Sequence, residues 1–350
     1  MPRMRVRALI VASLVLLTAI TVLAPPARAQ DATPTADCPA ATPDEHLAVV
    51  RRFFEVINAA DLTVFDEVVA SDVVYYGAVV SDDTGLEAVK RIYGEALTGF
   101  PDIAYTLIAS VSEADTVAAR YAVEGVHSGD FRGLAPTGNR VAWNHSTFAR
   151  VECGKIVEMW AEIDQLDRLA QFGILATEGP AAIMASALPD PWAFPEISDE
   201  AASCPSTRPE EAVALAERVR TEVYNVGNVD AMPEIFAEDY LHGSANGPDA
   251  IGIEEGATRI GGFLTAFSDL EWTYDEVVVQ DNRVAARWTT RGTHDGDLLG
   301  HAATGQPVEF TGISFFTIDC GEVSEFQTEM DVVGMLESVG APVRNDTPSS

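Results

Sequence analysis

Apolar residues recur at helical spacing near the start of two separate stretches of the chain, and each start gives way to strand-like runs. In the first stretch Leu47, Val50, Phe54 and Ile57 predict an amphipathic helix, followed by a second short helix near Thr63–Val69 and a third near Leu86–Leu97. After Phe100-Pro101-Asp102 the pattern changes to long runs, Ala104–Val111, Thr116–Val126, Val141–Val151 and Ile156–Ile163, with little between them. Strands joined this closely leave no room for crossover helices, so they predict an antiparallel meander with the helices on one face.

The same order returns at a fixed offset of 167 residues. Asn58 and Asn225, Asp72 and Asp239, Gly85 and Gly252, Phe100 and Phe267, Arg120 and Arg287, His127 and His294, Gly138 and Gly305, Cys153 and Cys320, and Asp164 and Asp331 are all separated by 167 positions without a gap. A repeat of this size is a duplicated domain and not a solenoid unit. The fold class expected is therefore α+β: two tandem domains, 43–175 and 208–340, each with three N-terminal helices packed on a curved antiparallel sheet. Residues 30–42 form an N-terminal extension, 341–350 a tail, and 176–207 a linker containing Gly179-Pro180, Pro189, Pro191, Pro195 and Pro205. Trp192 and Phe194 in that linker have the alternative of docking on a domain.

Composition agrees with two buried cores, at 47% hydrophobic and 22% charged residues. Arg3, Arg5 and Arg7 precede an apolar run from Ala8 to Ala24, and Ala27-Arg28-Ala29 supplies small residues at a cleavage site. Residues 1–29 thus read as a cleavable secretory signal, the other reading being an uncleaved anchor. Its removal takes four arginines and no acid, moving the formal charge from −32 to −36. Such a surface repels phosphate backbones and anionic lipids, which argues against nucleic-acid and stable membrane partners. The cysteines follow the repeat: Cys38 to Cys153 spans 115 positions and Cys204 to Cys320 spans 116. In an oxidising compartment the economical pairing is Cys38–Cys153 and Cys204–Cys320, although four cysteines allow three connectivities. No spacing suggests a metal site.

Counting by two along Thr116–Val126 puts Val117, Ala119, Tyr121, Val123, Gly125 and His127 on one face, and Val284, Ala286, Trp288, Thr290, Gly292 and His294 on the equivalent face of copy two. An imidazole at the rim of a pocket beneath the helices can donate, accept or carry a proton; a core histidine satisfied by backbone gives the same pattern.

Phe100-Pro101-Asp102, Arg120, Gly125-Val126-His127-Ser128-Gly129, Phe131-Arg132-Gly133, Pro136-Thr137-Gly138, Gly154-Lys155-Ile156-Val157-Glu158 and Trp160 with Asp164 resemble the SnoaL-like polyketide (ester) cyclases of the NTF2-like superfamily. Copy two repeats the frame and adds Asp239-Tyr240-Leu241-His242, similar to the family's Tyr-x-His at the first strand. The resemblance implies cone-shaped domains, a small apolar ligand or substrate, no cofactor, and an aldol-type ring closure needing a base at carbon and a donor at the enolate oxygen. It places the acid/base at Asp164 and Asp331 and donors or orienters at His127 and His294, with His242 a further catalytic candidate. Tyr75, Arg120, Tyr121, Trp160, Tyr240, Arg287 and Trp288 are the expected ligand contacts. The sequence departs from the family at Met159, Phe326 and Gln327, and has Tyr75 where copy two has His242.

Strict alternation sets Asp164 with Glu158, Trp160 and Glu162, opposite Val157, Met159, Ala161 and Ile163. Either a bulge turns the strand or the pocket side is polar; the other reading of Asp164 is a helix cap before Gln165–Gln171. Two function classes follow: a secreted cyclase or isomerase working with Asp and His, or a secreted binding or scaffold protein. The two copies are expected to pack through their sheets as an intrachain pseudo-dimer.

Overall fold

In the computed structural model, the described residues are 38, 40–77, 80–186, 206–244 and 249–344, without the side chains of 80–83. The proposed signal segment therefore lies outside them, as do Trp192, Phe194 and Cys204. Among the described residues no helix is long and apolar enough to cross a membrane.

Domain 1 opens with α1 (Pro43–Asn58), where Thr42 and Glu45 form a reciprocal capping box and Val50, Phe53, Phe54 and Ile57 form the buried stripe. A 3₁₀ turn (Leu62–Val64) runs into α2 (Phe65–Val68), then β1 (Val69–Gly77), β2 (Val80–Thr84) and α3 (Leu86–Gly99). The meander follows as β3 (Ala104–Glu113), β4 (Thr116–Val126), β5 (Arg140–Glu152) and β6 (Lys155–Ile163), within two residues of the expected ends. After it come α4 (Gln165–Phe172) and α5 (Pro180–Ser186).

Domain 2 repeats this order with α6 (Pro209–Arg218), a π-helical turn (Val219–Asn225), a 3₁₀ turn (Val229–Glu234), β7 (Phe236–Ser244), β8 (Ala250–Ile251), α7 (Ile253–Ala266), β9 (Glu271–Gln280), β10 (Arg283–Thr293), β11 (Pro307–Asp319), β12 (Glu322–Met330) and α8 (Val332–Ser338).

The sheet orders are β2-β1-β6-β5-β4-β3 and β8-β7-β12-β11-β10-β9. The four long strands of each domain pair antiparallel as expected. The hairpin between the second and third helices adds a pairing that periodicity did not show, because β1 joins β6 in parallel, as β7 joins β12.

Part of the expected linker is ordered structure. Ala181 and Met184 of α5 sit in the domain 2 core with Leu166 and Leu169 of α4. Ala176 N–H donates to the Val343 carbonyl at 2.9 Å, so residues 341–344 of the expected tail also belong to the packed body.

Helices cover one face of each sheet, and the opposite faces meet. Val111, Ala118 and Phe148 pack with their counterparts Val278, Ala285 and Phe315, together with Ile313. Arg120 and Glu329 form a buried ion pair across this seam at 2.9 Å, and the Ser146 hydroxyl donates to the same carboxylate at 2.5 Å. The equivalent pair on the other side is not formed. Arg287 bonds Asp275 and stacks on Trp160 at 4.3 Å, leaving Glu162 with only the Thr311 hydroxyl at 2.6 Å.

Candidate functional site

Each domain encloses a cavity between its helices and sheet, built from equivalent positions that carry different residues. The domain 1 cavity, about 600 Å³ including its mouth, is lined by the rings of Tyr75, Tyr93, Phe100, Tyr105, Phe131 and Trp143 with the polar groups of His145, Arg132 and Arg168. The domain 2 cavity, about 500 Å³, is lined by Tyr224, Phe263, Trp272, Trp288 and Phe310 with His242, Arg259, Thr290 and Thr328.

Alternation along β5 sends Trp143 and His145 to the helix side, where both are buried. Burial, and secondarily the charge of Arg168, lowers the His145 pKa to about 3, so its imidazole is neutral. Its Nε2 has no hydrogen-bond partner among the described residues, and the Tyr93 hydroxyl lies beside that of Tyr75. Arg168 is only 9% exposed. Its guanidinium lies 5.5 Å from the Phe131 ring centre and 5.6 Å from that of Trp143, and burial pulls its pKa down to about 10.

In domain 2 the histidine has moved to β7. His242 is buried, has an unpartnered Nδ1, and is likewise held down to about 3 by burial and by Arg259. Arg259 donates to the His242 carbonyl at 3.1 Å. Domain 2 has Gly312 where domain 1 has His145, and a Cβ there would come within 2.1 Å of the Trp288 ring. Trp288, anchored by its indole N–H on Ser314 at 2.9 Å, thus takes the space that an imidazole uses in domain 1.

The residues retained in both copies have other work. His127 is not in the cavity wall. Its Nδ1 accepts from the Thr137 N–H at 3.3 Å, assigning the proton to Nε2, and its ring packs on Phe100 and Phe172. His294 does the same with Thr304. The backbone bonds of both histidines close the β4–β5 and β10–β11 connections, His127 N–H to Asn139 O and His294 N–H to Gln306 O at 2.9 Å each. Asp164 caps α4 through the Asp167 N–H at 3.1 Å, and Asp331 caps α8 through the Gly334 N–H at 2.8 Å. Burial raises the pKa of both aspartates. No bulge was needed at the end of β6: Ala161 and Ile163 face the cavity, while Trp160 and Glu162 face the seam.

Of the expected ligand contacts, Tyr75 and Trp288 line cavities. Arg120, Arg287 and Trp160 lie instead on the far face of their sheets, because each alternates with a residue that points under the helices. Tyr121 is buried against Phe54 at 4.0 Å and Tyr240 against Phe236 at 4.4 Å, outside the cavity walls. Cys38, Cys153 and Cys320 are disulfide-bonded. Among the described residues no group of three or more His, Cys, Asp or Glu is placed to hold a metal ion.

A family model described as SnoaL-like polyketide cyclase matches the chain twice, over residues 47–172 and 214–339. The chain belongs to the SnoaL-like polyketide cyclase family. Curated relatives of this SnoaL-like protein include the aklanonic acid methyl ester cyclases DauD of Streptomyces sp. (strain C5) and DnrD of Streptomyces peucetius. Each is 29% identical over 129 residues, covering 36% of this chain and 80% and 88% of the relative, respectively. Among solved structures, TsrD from Streptomyces laurentii is 27% identical, with a TM-score of 0.35 over 39% of this chain and 98% of that one.

Proposed function

We propose that this SnoaL-like protein is an exported acid/base catalyst of the cyclase or isomerase type, acting on a small, largely apolar carbonyl compound in the domain 1 cavity. The observation that carries this reading is His145: a buried, neutral imidazole whose Nε2 has no partner among the described residues, in an aromatic cavity that also holds the Tyr75 and Tyr93 hydroxyls. Enolisation needs a base to take the proton from carbon and a donor for the developing oxyanion. His145 can supply the first and Tyr93 the second. Burial and the Arg168 charge disfavour imidazolium, but an enolate formed beside it supplies the negative charge that the cation lacks. The family membership and the names of the two ester cyclases support this chemistry; the apolar run at 8–24 and Ala27-Arg28-Ala29 support export.

The experiment is exchange of the α-protons of 2-tetralone in D2O, followed by NMR. His145→Gln should slow catalysed exchange by about 10²–10⁴-fold. Because the free-enzyme His145 titrates near 3, the specific rate should show no limb near pH 6.5. A limb there, or full exchange by the variant, would assign the base elsewhere. A second reading, a non-catalytic binding protein, is favoured by the use of Asp164 and Asp331 as helix caps; no exchange above background by the intact chain would select it.

A further inference from the structure

The domain 1 cavity contains a cation without a counter-ion. Arg168 is nine-tenths buried, its Nε has no hydrogen-bond partner, and no carboxylate among the described residues is within ion-pair distance of it. Its neighbour Arg132 is already occupied by Glu95 at 3.0 Å. The acid whose charge acts on it, Asp164, is turned to the start of α4 as a cap. Two aromatic faces compensate part of the charge, but a guanidinium removed from water with open donors is costly unless an anion meets it. Helix α4 is anchored by Leu166 and Leu169 in the domain 2 core and by Phe172 in that of domain 1, so the guanidinium is presented from a fixed base.

We propose that the domain 1 cavity recognises an apolar, ring-containing acid, with Arg168 pairing the ligand's carboxylate and the surrounding rings taking its hydrocarbon body. This rests on reading that cavity as the ligand site and specifies the ligand's charge. A planar carboxylate matches the two-pronged donor geometry of guanidinium. A phosphate, carrying more charge, would cost more to strip of water among these aromatic walls. Domain 2 supplies the internal contrast. Met335 stands where Arg168 stands in domain 1, and the cavity arginine of domain 2, Arg259, comes from another helix, is only half-buried, and spends one Nη on the His242 carbonyl while the other has no partner among the described residues.

Isothermal titration of the full chain with 2-naphthoate and with its neutral isostere 2-naphthamide tests this without reference to turnover. The wild type should bind naphthoate at one site and prefer it to naphthamide by about 10–100-fold, the range of a charge-assisted pair. Arg168→Met should abolish the preference while leaving naphthamide binding within about 3-fold; Arg168→Lys should keep part of it. Equal wild-type affinities for the two probes would overturn the proposal, and that comparison needs no variant to fold. Equal weakening of both probes by Arg168→Met, with its circular dichroism unchanged, would overturn it too. Loss of exchange in His145→Gln with no naphthoate preference would leave the acid/base reading standing and this one refuted.

Discussion

At the scale of single residues, the duplication separates two kinds of position. His127 and His294, Asp164 and Asp331, and Gly129 and Gly296 persist in both copies because they hold the fold: turn closure, helix caps and close backbone approach. A Cβ on Gly129 would lie 1.9 Å from the Thr98 carbonyl oxygen, and one on Gly296 equally close to that of Thr265. Gly129→Ala should therefore destabilise by about 1–3 kcal/mol in a denaturant titration, since backbone must move. Gly262 in α7 has open space around it, and Gly262→Ala should stabilise by about 0.5–1 kcal/mol in the same assay. The ligand-facing positions diverge instead: His145 against Gly312, Arg168 against Met335, Tyr75 against His242. Matching the copies highlights what is shared. It therefore pointed to the architectural histidines and passed over His145 and Arg168, although the alternation Val141, Trp143, His145 in β5 carried the missing signal.

At the scale of elements, the long strands and α1 were legible because each has one buried face and a clean period. The β1–β2 hairpin was not, since Val69–Gly77 mixes exposed Ser71 and Asp72 with apolar residues and its partner β6 lies far along the chain. Helix α4 shows how an element boundary can imitate a catalytic motif: an acidic residue at the end of a strand is also the preferred start of a helix. Asp164→Ala should cost about 0.5–2 kcal/mol on thermal or denaturant unfolding by loss of the cap. Asp164→Asn keeps an acceptor oxygen for the Asp167 N–H, so its stability and its tetralone exchange should both stay near those of the wild type. A large loss of exchange with unchanged stability in Asp164→Asn would return the base to the aspartate.

At the scale of the whole molecule, the seam between the sheets is pseudo-symmetric in its apolar contacts and asymmetric in its charges. Glu329 has Arg120, whereas Glu162 has a hydroxyl, and burial raises the Glu162 pKa from its ordinary 4.5 to about 8. The folded state then holds this proton more tightly than the unfolded chain, so Glu162 contributes fully below about pH 4.5, and that contribution is lost as pH rises through about 8. Glu162→Gln, which keeps an acceptor without the charge, should remove this decline. The variant should gain on the wild type between pH 5 and 9 by on the order of a few kcal/mol. Parallel stability–pH curves for the two proteins would refute the assignment.

The parallel partnership of the first strand with the last has a consequence for biosynthesis. During synthesis β1 emerges long before β6, and its hydrogen-bonding edge stays open until nearly the whole first copy has left the ribosome. The second copy later presents β7 with the same requirement and β12 as its proper mate. A chain carrying two interchangeable pairs of this kind can join β1 to β12 or β7 to β6, entangling the copies. Vectorial emergence opposes this, because β6 is available before either strand of the second pair exists. Sequence divergence adds a second safeguard. Tyr76 stacks on Trp160 across the first pair, whereas β12 offers Gln327 at that place, so the mismatched strand forfeits the aromatic contact. Refolding of the full-length chain from denaturant presents all four strands at once and removes the temporal protection, so the loss of yield between synthesis and refolding exposes how much depends on order of arrival.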